Sequence, residues 1–148
     1  MSNKNLSILF TGQGSQFPEM GVDLANKSSW VKERYQQSSD ILGYDVLKKQ
    51  DDPDLLNLTE YSQPSIFIYT SILIDFVRDK INSSASNITL AGHSLGEYAA
   101  LYFANSLNFE DMLKVVKFRG EAMSIVSDPA KYMMYAILKK EDQTINKS

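Results

Sequence analysis

The chain of 148 residues contains no cysteine, which excludes a disulfide framework and a thiolate zinc site. Histidine is almost as scarce. His93 is the only one, so a single imidazole is at hand for acid–base work. Neither sign of charge dominates, with 15 basic residues, 18 acidic residues and a net charge of −3. That balance argues against a protein that binds nucleic acid by neutralising phosphates. Long apolar runs are lacking too. Ile66 to Val77 is rich in aliphatics, but it is too short to span a bilayer and holds Asp75, so it reads as a buried helix. Met1 to Asn5 has neither the basic nor the apolar region of a signal peptide. No internal repeat or low-complexity stretch occurs. What is there is ordinary: 43% apolar and 22% charged residues, as expected for a soluble, cytoplasmic globular protein with one real core.

The most informative stretch is Ile88 to Ala104. It opens with Ile88-Thr89-Leu90-Ala91, the apolar and β-branched pattern of a buried strand. After Gly96 the period becomes helical, with Leu95, Tyr98, Ala99, Tyr102 and Phe103 on one face. Between the two lies Gly92-His93-Ser94-Leu95-Gly96, the G-x-S-x-G pattern of a nucleophile elbow. A serine on such a turn presents a strained, exposed hydroxyl, and the flanking glycines let neighbouring backbone approach without a Cβ clash. The helix that follows aims its N-terminal N–H groups at any oxyanion formed there. The alternative is a glycine-rich turn whose serine caps the helix.

Earlier in the chain, Leu6 to Phe10 suits an interior strand and ends in the loop Thr11-Gly12-Gln13-Gly14-Ser15-Gln16. That loop lacks the lysine of a phosphate loop and the third glycine of a dinucleotide fingerprint. It does place Gln13 at a strand end, where α/β proteins carry their sites, and Pro18 fits the first turn of a helix after it. Ser28 or Ser29 can cap a helix bearing Val31 and Tyr35 and closed by Gly43. Asp45 to Leu58 reads as short helical turns and surface loop, its acidic residues solvated rather than metal-binding. Tyr61-Ser62-Gln63-Pro64 introduces a helix through about Ile81 that is apolar nearly all round, hence central. Asn82 to Asn87 reads as a polar loop.

Asn108, with Asp111 three residues on, predicts a capped helix through about Val126. On its wheel Met112, Val115, Val116, Ala122, Met123 and Val126 form the apolar face, and Arg119 falls among them. A guanidinium there cannot neutralise, so it must find an anion or snorkel out. It is either a structural salt bridge or a clamp for a substrate carboxylate, which its planar fork suits. Asp128-Pro129 breaks the helix, and Tyr132 to Leu138 reads as a strand.

Taken together, these residues resemble the malonyl-CoA:acyl carrier protein transacylases, specifically their N-terminal half. Phe10 to Gln16 matches the family's F-x-G-Q-G-S-Q, Ser62-Gln63-Pro64 its T/S-Q-P, Gly92 to Glu97 its G-H-S-L-G-E, and Arg119-Gly120 its R-G. The resemblance implies an α/β fold. Residues 1–127 would belong to an α/β-hydrolase-like large subdomain, incomplete here, and residues 128–148 would begin a small ferredoxin-like subdomain. It implies Ser94 as the nucleophile, Gln13 and the Leu95 N–H as oxyanion hole, and Arg119 as the grip on the malonyl carboxylate. Gln63 would order the substrate or the loop, and His93 would be structural, hydrogen-bonded near the elbow. No metal or cofactor is implied; malonyl-CoA is a substrate, and an acyl carrier protein is the partner in fatty acid or polyketide synthesis. The family's catalytic histidine lies downstream of Ser148, so the sequence reads as part of a transacylase or as a half-protein completed by another chain. A serine esterase or thioesterase shares the elbow, and a non-catalytic half-domain that binds a carrier protein or a complementing chain shares the surface.

Overall fold

Ile66, Phe67, Ile68, Ile72 and Ile74 all fall on one central helix, and each is at most 3% exposed. Burying side chains of this size contributes roughly 1.5–3 kcal/mol apiece, so this helix organises the rest. The computed structural model describes residues 4–125. The order of elements is β1 (Asn5–Phe10), α1 (Val22–Lys27), α2 (Ser29–Leu42), α3 (Val46–Gln50), α4 (Pro53–Leu56), α5 (Thr59–Ser84), β2 (Asn87–Gly92), α6 (Gly96–Phe103) and α7 (Phe109–Ile125). It is an α/β arrangement in which β1 and β2 form a parallel pair, with Ile8 opposite Leu90 and Phe10 opposite Gly92. None of the described helices is long and apolar enough to cross a membrane. Val126, Tyr132 to Leu138 and the subdomain expected over residues 128–148 lie outside the described residues.

The local signals for α2 act as written. Ser28 accepts from the Val31 N–H, and Gly43 closes the helix at φ 82°, a left-handed conformation that only glycine adopts freely. Asp45 and Asp52 likewise serve as caps for α3 and α4, which is what the acidic loop is for. Asn108 caps α7 by accepting from the Asp111 N–H at 2.9 Å.

Four expectations change. The strands are not interior among the described residues: Leu9 is 78% exposed and Leu6 37%. Only one face of the two-stranded sheet, carrying Ile8, Phe10, Ile88 and Leu90, packs on the helical core. No helix follows directly on Pro18, because Glu19 (φ 58°) and Gly21 (φ 85°) are both left-handed and delay α1 to Val22. Helix α5 starts at Thr59, a turn ahead of Pro64, and runs on through Ser84. Its last turn is closed by Ser83 and Ser84 hydroxyls donating to the Lys80 carbonyl and by the Ala85 N–H bonding Ile81 O.

The fourth concerns α7. Its buried residues are Phe109, Met112, Leu113, Val116 and Gly120, while Val115 is 39% exposed and Ala122 is exposed as well. Gly120 explains the rotation. A Cβ there would stand 3.1 Å from Thr59 O and 3.2 Å from Glu60 Cα, so the glycine lets α7 lie directly against the first turn of α5. Arg119 is thereby placed at the edge of the buried face, beside that turn, rather than in its middle.

Helix α6 is anchored at its far end. Tyr102 Oη donates to both carboxylate oxygens of Asp75 on α5 at 2.9 Å, and burial pushes the phenol's pKa up, so it keeps the proton it donates. Arg34 pairs with the same carboxylate at 3.0 Å, its guanidinium 4.0 Å from the Phe109 ring centroid. Helices α2, α5, α6 and α7 meet at this knot.

Candidate active site

Parallel strands point the same way, so the loops leaving β1 and β2 emerge side by side. After β2 the chain turns sharply into α6. Ser94 has φ 54°, a left-handed conformation that costs a residue with a Cβ of order 1–3 kcal/mol and is held only when its surroundings insist on it. They do insist. A Cβ on Gly92 would collide with the backbone of Gly96 and Glu97, and one on Gly96 with the Phe10 and Thr11 carbonyls. The His93 N–H donates to Phe10 O at 3.0 Å, and the Gly96 N–H to His93 O at 2.9 Å. The Ser94 side chain stands exposed on this turn, and the neighbouring Leu95 N–H has no acceptor among the described residues. This is the geometry of a nucleophile elbow; the expected motif has the expected shape.

The β1 loop lies against it. Gly12 is buried because the His93 backbone and ring sit over its α-carbon. Ser15 Oγ donates to Gly12 O at 2.8 Å, and the Gly14 N–H to Gln16 Oε1 at 2.8 Å. Gln13 is exposed, and its Oε1 accepts from Thr59 Oγ1 at 3.3 Å.

Helices α5 and α7 supply the third side. Gln63, fully buried, donates from Nε2 to Thr59 Oγ1 at 2.6 Å and lies 3.4 Å from Met123 Sδ. Its Oε1 accepts from Arg119 Nη1. Arg119 Nη2 donates to Ser94 Oγ at 2.9 Å, and the guanidinium lies 5.6 Å from the Tyr98 ring centroid. The described ion pairs involve Arg34, Arg78 and Lys114; Arg119 has no carboxylate partner among the described residues. The salt-bridge alternative for its wheel position therefore has no support among those residues. A half-buried cation held by neutral groups beside an exposed hydroxyl is an anion site in waiting.

Ser94, Leu95, Gln13, Gln63 and Arg119 thus come together from four elements. His93 sits at the elbow, where its backbone N–H donates to Phe10 O at 3.0 Å and its ring lies beside Gly12; its side chain is exposed. Ser94 Oγ has Arg119 as its partner, which cannot accept a proton, so the described residues provide no base on the nucleophile. Thr59 and Tyr98 were not anticipated. Thr59 lies four residues before Gln63, one helical turn, a relation hidden by starting the helix at Tyr61. Tyr98, on the apolar face of α6, is half-buried under the guanidinium.

Comparison with known proteins bears on this arrangement. The family model described as the acyl transferase domain matches residues 8–146. A malonyl CoA-acyl carrier protein transacylase of Synechocystis is 44% identical over 137 residues, which are 92% of this chain and 44% of that protein. The crystal structure of a Synechocystis malonyl-CoA:ACP transacylase matches with a TM-score of 0.72 and 43% identity, over 82% of this chain and 40% of the other. A malonyl-transacylase solved in complex with its type II PKS acyl-carrier protein matches with a TM-score of 0.68 and 34% identity, over 83% of this chain and 40% of the other. The chain spans less than half the length of each of these relatives. On the family match and these likenesses, the chain belongs to the acyl transferase domain family.

Proposed function

We propose that these residues form the acyl-binding side of a malonyl-transfer site, moving a malonyl group from coenzyme A to the phosphopantetheine thiol of an acyl carrier protein. The observation that carries this reading is the Arg119 guanidinium, which has no carboxylate partner among the described residues and lies 2.9 Å from the Ser94 hydroxyl. In a malonyl thioester the free carboxylate carbon lies two bonds from the reacting carbonyl, about 2.5 Å away at ordinary bond lengths. A cation in contact with Oγ is therefore within reach of that carboxylate once the carbonyl is at Oγ. An uncharged acyl group leaves the same cation unpaired.

In the proposed cycle Ser94 Oγ attacks the thioester carbonyl and gives up its proton to a base. The oxyanion is met by Gln13 and the Leu95 backbone N–H. The tetrahedral intermediate collapses with expulsion of the coenzyme A thiolate, leaving malonyl-Ser94. The carrier protein's thiol then attacks this ester and returns Ser94 to its hydroxyl form. The base is supplied by a residue outside those described. The same reading assigns residues 1–127 to an α/β-hydrolase-like large subdomain and 128–148 to the start of a ferredoxin-like one. It also places the enzyme in the cytoplasm, in fatty acid or polyketide synthesis.

The test is to incubate the complete polypeptide that carries these residues with malonyl-CoA and locate the modification by peptide mass spectrometry. A malonyl ester on Ser94 that persists in water and is discharged by an acyl carrier protein is expected. Rapid hydrolysis without transfer would instead make the protein an esterase. Carrier-protein binding with an unreactive Ser94 would make it a non-catalytic docking module.

A further inference from the structure

Arg119 reaches the elbow from α7 at the end of a long side chain, and side chains from two other elements meet its edge. Of the five N–H groups of a guanidinium, the described hydrogen bonds use two. Nη1 donates to Gln63 Oε1, and Nη2 donates to Ser94 Oγ at 2.9 Å. The N–H groups lie in the plane of the fork, so these contacts locate its edge and leave its faces free to tilt. The contact with Ser94 is also temporary, because Oγ becomes an ester oxygen once the serine is acylated. A face of the fork is met by Tyr98. The guanidinium carbon lies over this ring, 5.6 Å from its centroid, within the range of an attractive cation–π contact. Tyr98 stands on the first turn of α6, its N–H bonded to Leu95 O at 3.1 Å, and its side chain packs against the core. The same turn is pinned by Gly92 and Gly96, which have no room for a Cβ. The ring is therefore fixed relative to Ser94.

We propose that Tyr98 is a positioning residue whose ring supports one face of the Arg119 guanidinium and so sets the plane in which the acyl carboxylate is gripped. The inference rests on the reading of Arg119 as the partner of that carboxylate. Ring and carboxylate are compatible because they use different parts of the cation. A carboxylate accepts from the N–H groups at the edge, whereas the ring attracts the positive charge through the face. The ring also keeps water from that face, and a less hydrated cation holds an anion more strongly. A guanidinium free to tilt would still attract a carboxylate, but it would offer two aligned donors only part of the time. The aromatic face supplies this support and the phenol hydroxyl does not, which separates Tyr98 from a residue kept for a hydrogen bond. An uncharged acyl group makes no demand on the plane of the fork, so the effect is confined to acidic acyl groups.

The experiment follows acylation of Ser94 by malonyl-CoA and by acetyl-CoA in single turnovers of the complete polypeptide, for the wild type, Tyr98→Leu and Tyr98→Phe. Tyr98→Leu removes the aromatic face. Malonyl acylation is expected to slow about 2- to 30-fold, the range of an exposed to desolvated cation–π contact, with acetyl acylation nearly unchanged. Tyr98→Phe should keep the wild-type ratio of the two rates. Added to Arg119→Ala, Tyr98→Leu should cost little more, because the cation it supports is gone. Fluorinated phenylalanines placed at position 98 keep the shape of the ring while draining its negative face, so the malonyl-to-acetyl ratio should fall stepwise with added fluorine. That series reads the same contact where Tyr98→Leu fails to fold. A wild-type malonyl rate or an equal loss with both thioesters in Tyr98→Leu would overturn the role given to Tyr98. So would a Tyr98→Phe as damaging as Tyr98→Leu, full additivity with Arg119→Ala, or a ratio indifferent to fluorine. A ratio unchanged in Arg119→Ala itself would overturn the underlying reading of Arg119, and the role of Tyr98 with it.

Discussion

Two glycine-bearing turns leave the ends of β1 and β2 side by side, and they are held in opposite ways. The elbow after β2 is fixed by its backbone. Gly92 and Gly96 have no room for a Cβ, Ser94 is held at a positive φ, and His93 is bonded to Phe10 across the parallel pair. The loop after β1 is exposed over most of its length. Space around Gly14 (φ 103°) is open, and Gln13 is tied down by a side-chain bond from Thr59. The contrast fits the roles proposed for the two turns. A nucleophile must sit at one point in space, which packing can enforce, whereas the loop after β1 is steadied by a side-chain tie to the first turn of α5.

If that contrast is right, substitutions in the two turns should fail differently. The largest effect is expected for Gly96→Ala. Its Cβ meets the Phe10 and Thr11 backbone, which has no flexible end to move aside, so stability should fall by about 3 kcal/mol or more, read from the urea midpoint. Gln13→Ala should show the reverse pattern. Acylation of Ser94 should slow, because the loop loses the side-chain tie that steadies it, while the unfolding midpoint shifts by no more than the equivalent of about 0.5 kcal/mol. The smallest effect is expected for Gly14→Ala. No atom would obstruct the new methyl, so the cost is the positive φ alone, about 1–2 kcal/mol, with the acylation rate little changed. A Gly14 variant as disruptive as Gly96→Ala would erase the difference between the turns.

Much of this arrangement was legible in the sequence because its signals are local. The elbow combines a strand pattern, two glycines and a helix pattern within a few residues. Ser28 and Gly43 mark α2 by chemistry that acts within one turn. Other features depend on distant partners. Leu58, the residue before α5, provides no side-chain cap, so the start of α5 was hidden, and with it the Thr59–Gln63 relation. The buried face of α7 includes Gly120, which a hydropathy wheel passes over; its role is close approach to α5 rather than apolar burial. Arg119 stood out on its wheel, but the absence of a described carboxylate partner emerged only from the packing. The exposure of Leu9 could not be read locally either, since a strand's own residues do not say how many layers cover it.

The central claim is that Arg119 recognises the acyl carboxylate, and its most direct test is the selectivity of Arg119→Ala. In the complete polypeptide, the rates of Ser94 acylation by malonyl-CoA and acetyl-CoA are compared with those of the wild type. Loss of two charge-assisted hydrogen bonds predicts that malonyl acylation falls by about 10²-fold or more. The acetyl rate should fall much less, through the weakened hold on Gln63, so that preference turns toward the uncharged acyl group. An unchanged ratio of the two rates would contradict the account and return Arg119 to a structural part.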